Sequence, residues 1–505
     1  MSLLRHGITV GGYTAISRVL GLVREIFMSH ILGASFVADA FIVAFKFPNF
    51  FRRFFAEGAF NAAFVPQFAG TLATEGMASA QNLAQRVFTY MALFLLGFVI
   101  FVELFTPLIM PLIAPGFSNT LERLTLATDF TRITFPYIFF ISLCALCAGV
   151  LNSLNRYAVA ASAPILLNIV MIAALVFYKQ CELSPGYALA WSVFLAGIIQ
   201  FIWMMWACKR HGVALFVFPK FDRDEKVKKV FRLMIPGAIG AGVMQINILI
   251  DMVLASFLPV GSMSYLYYAD RLNQLPLSIF GIGIGTVLLP PLSKLWRQNK
   301  PEEAMKTQNS ALILAMQFTI PAAVGLFILS NPLIQLIFGH GQFTPYDVTQ
   351  TAYALAAFAV GLPAYVCSKV FSTSFFAQQD TKTPVQIAAI CVGINFILNL
   401  ALMPYWQHTG LAMSTAAAAW VNMLFLALIL WKKGAFFVSK PLIYALQKIF
   451  IATGVMVIFI YGAFSYLPSS PSSLWQEIGQ VFILIGAGAF PYFITLWLIG
   501  GKISR

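Results

Sequence analysis

Residues 17–57 read SRVLGLVREIFMSHILGASFVADAFIVAFKFPNFFRRFFAE. Most of this stretch is apolar, yet it holds eight charged residues: Arg18, Arg24, Glu25, Asp39, Lys46, Arg52, Arg53 and Glu57. A charge at the centre of a membrane helix costs about 2.5–3.5 kcal/mol on insertion scales, so such groups usually face a water-filled cavity and serve a function. Because most of the eight are cationic, the stretch predicts an internal basic cavity.

The rest of the chain has the composition of an integral membrane protein. Its 505 residues are 60% hydrophobic and 10% charged, and the mean hydropathy is +0.84. Apolar runs of roughly 20 residues recur, each long enough to cross a hydrocarbon layer of about 30 Å. The runs lack period-2 alternation, so helices rather than barrel strands are expected. The start, Met1–Thr14, has no small-residue cleavage site and is expected to remain as part of the first helix. The predicted fold is an all-α polytopic membrane protein with about fourteen transmembrane helices.

The loops predict an orientation. The formal net charge is +14, and lysine and arginine concentrate in alternate loops, which favours membrane orientation over nucleic-acid binding. The largest basic segment, Lys209–Arg232, is expected to lie against anionic membrane lipids. On the opposite side only Arg123 and Lys179 stand out. Three loops there contain neither lysine nor arginine: Gly339–Gln350, Gln407–Gly410 and Pro468–Glu477. Both termini are therefore expected in the cytoplasm.

The chain also repeats itself at an offset of about 220–228 residues. Phe135-Pro136 corresponds to Leu362-Pro363, and Gly186 corresponds to Gly410. Six spans separate equivalent elements, so the two repeats share one orientation, which is a transporter architecture with the substrate site between the repeats. We expect an N-lobe over residues 1–215, a C-lobe over 216–435 and two extra helices over 436–505. The first lobe holds the eight charges, whereas the equivalent part of the second has only Asp251, Asp270 and Arg271.

Several other classes of site are disfavoured. Cys144 and Cys147 have a metal-like spacing, but no histidine or further cysteine lies nearby, so helix packing explains them better. The five histidines are dispersed, no nucleotide-binding motif occurs, and no cofactor is expected. A membrane enzyme acting on lipid-linked sugars would need a large outer loop with a catalytic carboxylate. The outer loops are short, and their acidic residues form no constellation: Glu122, Asp129, Glu182 and Asp347.

The charged motifs resemble those of one family. The segments that carry the resemblance are Ser17–Glu25, Ala38–Phe41, Phe47–Phe60, Tyr267–Leu272 and Gln379–Pro384. They are similar to the MurJ (MviN) family, the lipid II flippases of the MOP superfamily, and the resemblance covers essentially the whole chain. It implies transport of an undecaprenyl-pyrophosphate-linked disaccharide-pentapeptide, lipid II, from the inner to the outer leaflet of the bacterial cytoplasmic membrane, by alternating access. Other cell-wall synthesis proteins are further candidate partners.

The resemblance also implies a substrate site. The matching positions are Arg18, Arg24, Asp39, Arg52, Glu57 and Arg271. Gln274 stands where some relatives carry Glu, which removes a carboxylate from that position. A pyrophosphate needs several cations, and the planar guanidinium fork of arginine binds phosphate oxygens in pairs. Arg53 is added to the site, and its spacing of four from Glu57 predicts an ion pair on one helix face.

A second constellation predicts a monovalent-cation site. Asp251 is the only acidic residue in the body of the seventh span, and Asn395 and Asn399 share a face of the eleventh. Thr415 lies early in the twelfth. One carboxylate with neutral oxygens suits sodium, which would couple transport to the membrane gradient. The alternative is that these polar groups only hold helices together.

Two other transport functions remain open at this point. A MOP exporter of cationic drugs should have an acidic cavity, which counts against it. An exporter of another lipid-linked oligosaccharide keeps the pyrophosphate and so fits the same residues.

Overall fold

The computed structural model of the chain describes residues 2–55, 59–217, 225–468 and 473–500. Within these ranges every regular element is a helix, which confirms the all-α prediction. The helices form two compact units, residues 1–261 and residues 262–505.

In its described part, the first unit contains nine α-helices. Their bounds are α1 (Ser2–Leu32), α2 (Phe36–Phe55), α3 (Ala59–Glu75), α4 (Met77–Ile113), α5 (Leu121–Thr134), α6 (Tyr137–Ser153), α7 (Tyr157–Phe177), α8 (Pro185–Arg210) and α9 (Glu225–Ser256). A short 3₁₀ turn, Pro115–Asn119, follows α4. Proline cannot donate to the helix ladder, and the break between α5 and α6 falls at Pro136.

The second unit has eight α-helices in its described part. Their bounds are α10 (Ser262–Pro276), α11 (Gly283–Arg297), α12 (Pro301–Ile328), α13 (Ser330–Phe338), α14 (Pro345–Ala377), α15 (Lys382–Lys432), α16 (Lys440–Tyr466) and α17 (Leu474–Leu498). A π-helical turn, Leu277–Ile282, joins α10 to α11. Helix α15 bends sharply at Gln407, where φ is 47°. Gly410 makes this bend possible, because a Cβ there would lie 2.7 Å from the Leu402 carbonyl oxygen.

The helices of the described ranges account for fourteen membrane spans. The pairs α2/α3, α5/α6 and α10/α11 each make one span, α15 makes two across its bend, and the short α13 makes none. In the described part of the chain, nine helical segments also pass a simple length-and-hydropathy criterion for crossing a membrane. The predicted number of spans is therefore confirmed.

Each unit has its own packed interior. In the first, α3 packs against α4, α6 and α9 around three stacked or tilted rings, Phe60, Phe64 and Phe68. In the second, α14 is central and contacts α10, α11, α12, α13 and α15. Helices α16 and α17 pack on each other and on α12, where the Tyr492 hydroxyl donates to the Gln317 carbonyl at 2.5 Å.

Helix α9 packs within the first compact unit, although the predicted C-lobe starts at residue 216. Compact units are defined by packing, whereas repeats are defined by matching sequence, so one does not test the other. The boundaries 1–215, 216–435 and 436–505 stay a prediction.

Candidate functional site

Arg24 lies in a closed polar cluster inside the first unit. Its Nη1 donates to Asn168 Oδ1 at 2.9 Å, and its Nη2 forms an ion pair with the Glu25 carboxylate. The Phe45 ring lies 5.6 Å from the guanidinium carbon. Asn168 in turn donates to the Ser17 carbonyl at 2.9 Å, which ties α7 to α1. Arg24 and Glu25 are 6% and 1% exposed, so this arginine is held in place and desolvated.

Asp39 forms a second closed cluster in the same unit. Its Oδ2 accepts hydrogen bonds from Arg123 Nη2 and from the Gly261 backbone N–H, both at 2.8 Å. The Arg123 guanidinium carbon lies 3.8 Å from the centre of the Phe117 ring. Both charged side chains are buried. The aspartate thus joins α2 to α5 and to the residue that ends the unit, and Arg123, an exception to the loop-charge rule, has a structural reason to be there.

The backbone beside this cluster is packed at contact distance. Gly116 donates its N–H to Ser256 Oγ at 3.0 Å. A Cβ on Gly116 would come within 2.2 Å of the Ser256 carbonyl oxygen. The 3₁₀ turn therefore lies directly on the C-terminal end of α9, and only glycine fits there.

The remaining cations of the stretch are more accessible. Arg18 is exposed on α1, and Lys46 and Arg52 on α2 are half-buried. Arg52 follows an aromatic cluster in which Phe51 contacts Phe98 and Phe135 at ring-centre distances of 5.1 and 6.0 Å. Arg18 and Arg24 are six positions apart, which puts them on different helix faces, one exposed and one buried.

Two predicted site residues cannot be placed in this way. Glu57 lies outside the described residues, and of Arg53 only the backbone is described, within α2. Their predicted ion pair stays a prediction.

In the second unit, Arg271 projects from α10. Its Nη2 donates to the Tyr267 hydroxyl at 3.0 Å, and its guanidinium carbon lies 4.7 Å from the centre of that ring. One turn along, the Gln274 amide donates to Asp270. Glutamine thus provides a hydrogen-bond donor where a glutamate would provide a second negative charge.

The structure also reveals charged residues that the sequence argument missed. Lys369 lies in the body of α14, whose other charged residue, Asp347, is in the first turn. In the first unit, Glu103 on α4 has a buried Oε1 that accepts no hydrogen bond from the described residues, and it interacts electrostatically with Arg132 on α5. Each of these residues is a charge inside an apolar span, which is the sequence signal that could have identified it.

The four residues of the predicted cation site fall in different units. Asp251 belongs to the first, where its Oδ2 accepts from Asn247 Nδ2 at 3.2 Å. Asn395 and Asn399 are buried in α15 of the second unit, and the Thr415 hydroxyl donates to the Leu411 carbonyl at 3.0 Å. Among the described residues, no group of three or more His, Cys, Asp or Glu side chains could hold a metal ion.

Comparison with known proteins adds independent findings. Residues 28–476 match the family model described as lipid II flippase MurJ. A probable lipid II flippase MurJ of Rhizobium meliloti is 40% identical, with 99% of this chain and 95% of the relative covered. One of Vibrio cholerae is 35% identical, with coverages of 99% and 97%.

Solved structures agree with these matches. A lipid II flippase MurJ in an inward closed conformation superposes with a TM-score of 0.81 at 28% identity, covering 99% of this chain and all of that one. An inward-facing multidrug resistance MATE transporter of the MOP superfamily gives a TM-score of 0.68 at 14% identity, covering 84% and 98%. The second likeness concerns the fold alone.

Proposed function

The chain belongs to the MurJ family, and on that premise we propose that it moves lipid II from the inner to the outer leaflet of the bacterial cytoplasmic membrane. The family consists of transporters rather than enzymes, and its members are multi-pass membrane proteins. The observation that carries the proposal is the concentration of cations in the membrane helices α1 and α2. A purely apolar cargo would not require them, whereas a lipid-linked pyrophosphate does.

The cations divide into two groups by exposure. Arg18, Lys46, Arg52 and Arg271 are exposed or half-buried, so a phosphate can reach them. We assign direct binding of the pyrophosphate to Arg18, Arg52 and Arg271, with Lys46 as a supporting charge. Arginine is the suitable residue because two of its N–H groups can bind two phosphate oxygens together.

Arg24 and Asp39 have a different role in this proposal. Each is buried in an ion pair, Arg24 with Glu25 and Asp39 with Arg123. An ion whose charge is already balanced attracts a ligand weakly, and releasing it from its partner inside the protein is costly. We assign these two residues to holding the shape of the site rather than to contact with the substrate.

Arg53 and Glu57 complete the proposed site on sequence grounds alone. Arg53 adds a fifth cation to residues 17–57, and Glu57, one helical turn later, would tune or release it.

Transport proceeds by alternating access of two six-span repeats in this proposal. With both termini in the cytoplasm, the large basic segment Lys209–Arg232 faces the anionic inner leaflet. The matching sequence repeats support rocking of one lobe against the other around the substrate.

Sodium coupling is a separate part of the proposal. Asp251 offers a carboxylate, and the amides of Asn395 and Asn399 lie on one face of α15 and are buried. With Thr415 they would give the oxygen-rich ligand set that a hard cation requires. Asp251→Asn should reduce the sodium dependence of transport, whereas Glu302→Gln, which neutralises an exposed acid on α12, should not. An unchanged sodium dependence in Asp251→Asn would remove this site.

The decisive experiment measures lipid II at the outer leaflet after depletion of this protein. We expect lipid II accessible to an external probe to fall while total lipid II rises. Normal exposure after depletion would overturn the proposal. Accumulation of a different lipid-linked oligosaccharide, with lipid II unaffected, would assign the transporter to that substrate instead.

A further inference from the structure

Lys369 is a cation in the body of a membrane span, and it has no hydrogen-bond or ion-pair partner among the residues that the structure describes. Lys433, by comparison, pairs with Asp380 at 2.6 Å. A charge inside a membrane span is costly and persists where water or a ligand reaches it. Since Lys369 is exposed rather than enclosed, its ammonium group is available to an anion.

The stem of the lysine side chain packs against a neighbouring helical segment. Helix α14 is the most enclosed of the candidate spans, with 78% of its most apolar window buried. A Cβ built on Gly281 would lie 3.3 Å from Lys369 Cδ and 3.5 Å from Val366 Cγ2. The lysine stem therefore runs along the π-helical turn Leu277–Ile282, in space that Gly281 leaves open. Such turns occur frequently at functional sites.

The depth of Lys369 in the membrane suggests when an anion would meet it. It lies eight residues before the end of α14 at Ala377, which is about 12 Å along the helix at 1.5 Å per residue. The middle of the 33-residue helix is equally far away on the other side. With the proposed orientation, α14 ends at the cytoplasmic face, and the hydrocarbon layer extends about 15 Å either side of its centre. Lys369 is then about 3 Å inside the boundary between the hydrocarbon layer and the inner-leaflet headgroups, a distance that a lysine side chain can span.

From these observations we infer that Lys369, together with the π-helical turn at Gly281, forms an anion-binding site in the second unit that takes a lipid-linked phosphate at the inner leaflet. The inference rests on the proposed function and adds a residue and a depth to it. Lysine binds phosphate as a compact point charge, without the paired geometry of arginine. That suits a first, less selective contact with the substrate headgroup.

The test is binding of undecaprenyl pyrophosphate to the full chain in phosphatidylcholine nanodiscs, with neutral undecaprenol as the reference ligand. Lys369→Met should weaken pyrophosphate binding about tenfold, the typical effect of losing one hydrogen bond to a charged group. Undecaprenol binding should not change, and Lys369→Arg should retain most of the affinity. Lys382→Met is the matched control, because it removes an exposed lysine at the start of α15 and should leave binding unchanged.

A second variant tests the geometry without removing the charge. Gly281→Val fills the space beside Lys369 Cδ and should weaken pyrophosphate binding by displacing the lysine stem. Addition of phosphatidylglycerol separates the two sources of phosphate. If phosphatidylglycerol competes with undecaprenyl pyrophosphate for the wild type but not for Lys369→Met, that result would assign the site to bulk anionic lipid and overturn the substrate assignment.

The outcomes separate this inference from the proposed function. Equal pyrophosphate binding by wild type and Lys369→Met would overturn the inference alone. Equal loss of undecaprenol and pyrophosphate binding in Lys369→Met would mean a structural role and would also overturn it. A wild-type protein that does not distinguish undecaprenyl pyrophosphate from undecaprenol would contradict the proposed function itself.

Discussion

At the scale of single residues, Arg18 and Arg24 show how differently two arginines of one helix can be used. Arg18 is exposed, whereas Arg24 is buried against Glu25 and Asn168. Both match the family motif, so sequence assigns them the same role. Their surroundings assign Arg18 to ligand contact and Arg24 to the integrity of the fold, and the two roles can be separated by measuring stability and transport together.

Arg24→Ala should lower both stability and transport. It removes the cation beside the buried Glu25 carboxylate, and loss of one partner of a buried ion pair typically costs about 3–5 kcal/mol. The measurement is the melting temperature of the purified protein, alongside growth with the variant as sole copy. The double variant Arg24→Ala/Glu25→Ala should recover much of the stability. If Arg24→Ala has the melting temperature of the wild type, the ion pair between Arg24 and Glu25 does not stabilise the fold.

Arg18→Ala should behave in the opposite way. Its exposed side chain contributes little to packing, so the melting temperature should stay within about 1 °C of wild type, since exposed charges contribute roughly 0–1 kcal/mol. Pyrophosphate binding should fall about tenfold or more. Arg86→Ala, which removes a half-buried arginine of α4 that donates to Asn82, is the control and should retain binding. Full binding by Arg18→Ala would remove this residue from the substrate site.

The sequence could identify charges at membrane depth but not the partners that define their use. The hydrogen bond between Arg123 and Asp39 joins residues that are 84 positions apart in the chain. The hydrogen bond between Arg24 and Asn168 joins residues that are 144 positions apart. The partners meet because α2 packs against α5 and α1 packs against α7. The local pattern of apolar and polar residues does not predict which helices pack together. Lys369 could have been found from sequence, because it is a lone charge in an apolar span, but its contact with the turn at Gly281 could not.

At the scale of elements, the contact of the 3₁₀ turn Pro115–Asn119 with α9 provides a test. Gly116→Ala places a methyl group 2.2 Å from the Ser256 carbonyl oxygen, so the turn must move away from α9. Overpacking of this kind costs about 1–3 kcal/mol. The melting temperature should fall accordingly. Gly97→Ala on α4, where a Cβ meets nothing within 4 Å, is the control and should not lower it. Equal stability of the two variants would mean that the turn can move away from α9 at no cost in stability.

The ion pair between the ends of α15 gives a pH-dependent prediction. Hydrogen bonding to Lys433, and secondarily to Thr383, lowers the pKa of Asp380 from 3.8 to about 2. Because the carboxylate is favoured in the folded state, its contribution is present above pH 3.8 and is lost as the pH falls towards 2.

Lys433→Met should therefore lower the melting temperature by the same small amount at pH 7 and pH 5, and by less at pH 3. The lysine is 44% exposed, so the effect should correspond to about 1 kcal/mol at most. Asp380→Asn should abolish this pH dependence. A difference between wild type and Lys433→Met that stays constant down to pH 2 would contradict the ion-pair explanation.

Hydropathy predicts the elements of this chain better than their internal breaks. The prolines at 136 and 276 mark real interruptions, because proline removes a backbone donor. The type of irregular backbone at each interruption, a π-helical turn or a sharp bend, cannot be predicted from the proline alone. After Pro276 the chain adopts a π-helical turn, and the bend at Gln407 depends on close contact between Gly410 and the Leu402 carbonyl.

At the scale of the whole molecule, the sequence predicts the number of spans because each must cover the same hydrocarbon thickness. It does not predict the compact units as readily. Helix α9 belongs to the predicted second repeat, yet it packs with α3 through Val227 and Val230 in the core around Phe60. Packing of this kind depends on which surfaces meet, and repeats in a sequence need not coincide with it.

The predicted orientation can be tested through the native cysteines. Cys181 lies between α7 and α8 and is exposed, whereas the other five cysteines are buried. Because its loop follows the fifth span, Cys181 should face outwards if both termini are cytoplasmic. A membrane-impermeant maleimide should label the wild type in intact spheroplasts, and Cys181→Ser should remove that label. Ser439→Cys in a Cys181→Ser background, at the start of α16, should react only after the membrane is opened. The reverse pattern, with Ser439→Cys labelled from outside and Cys181 protected, would invert the topology. It would also move Lys369 to the outer leaflet, where an entering substrate could not meet it first.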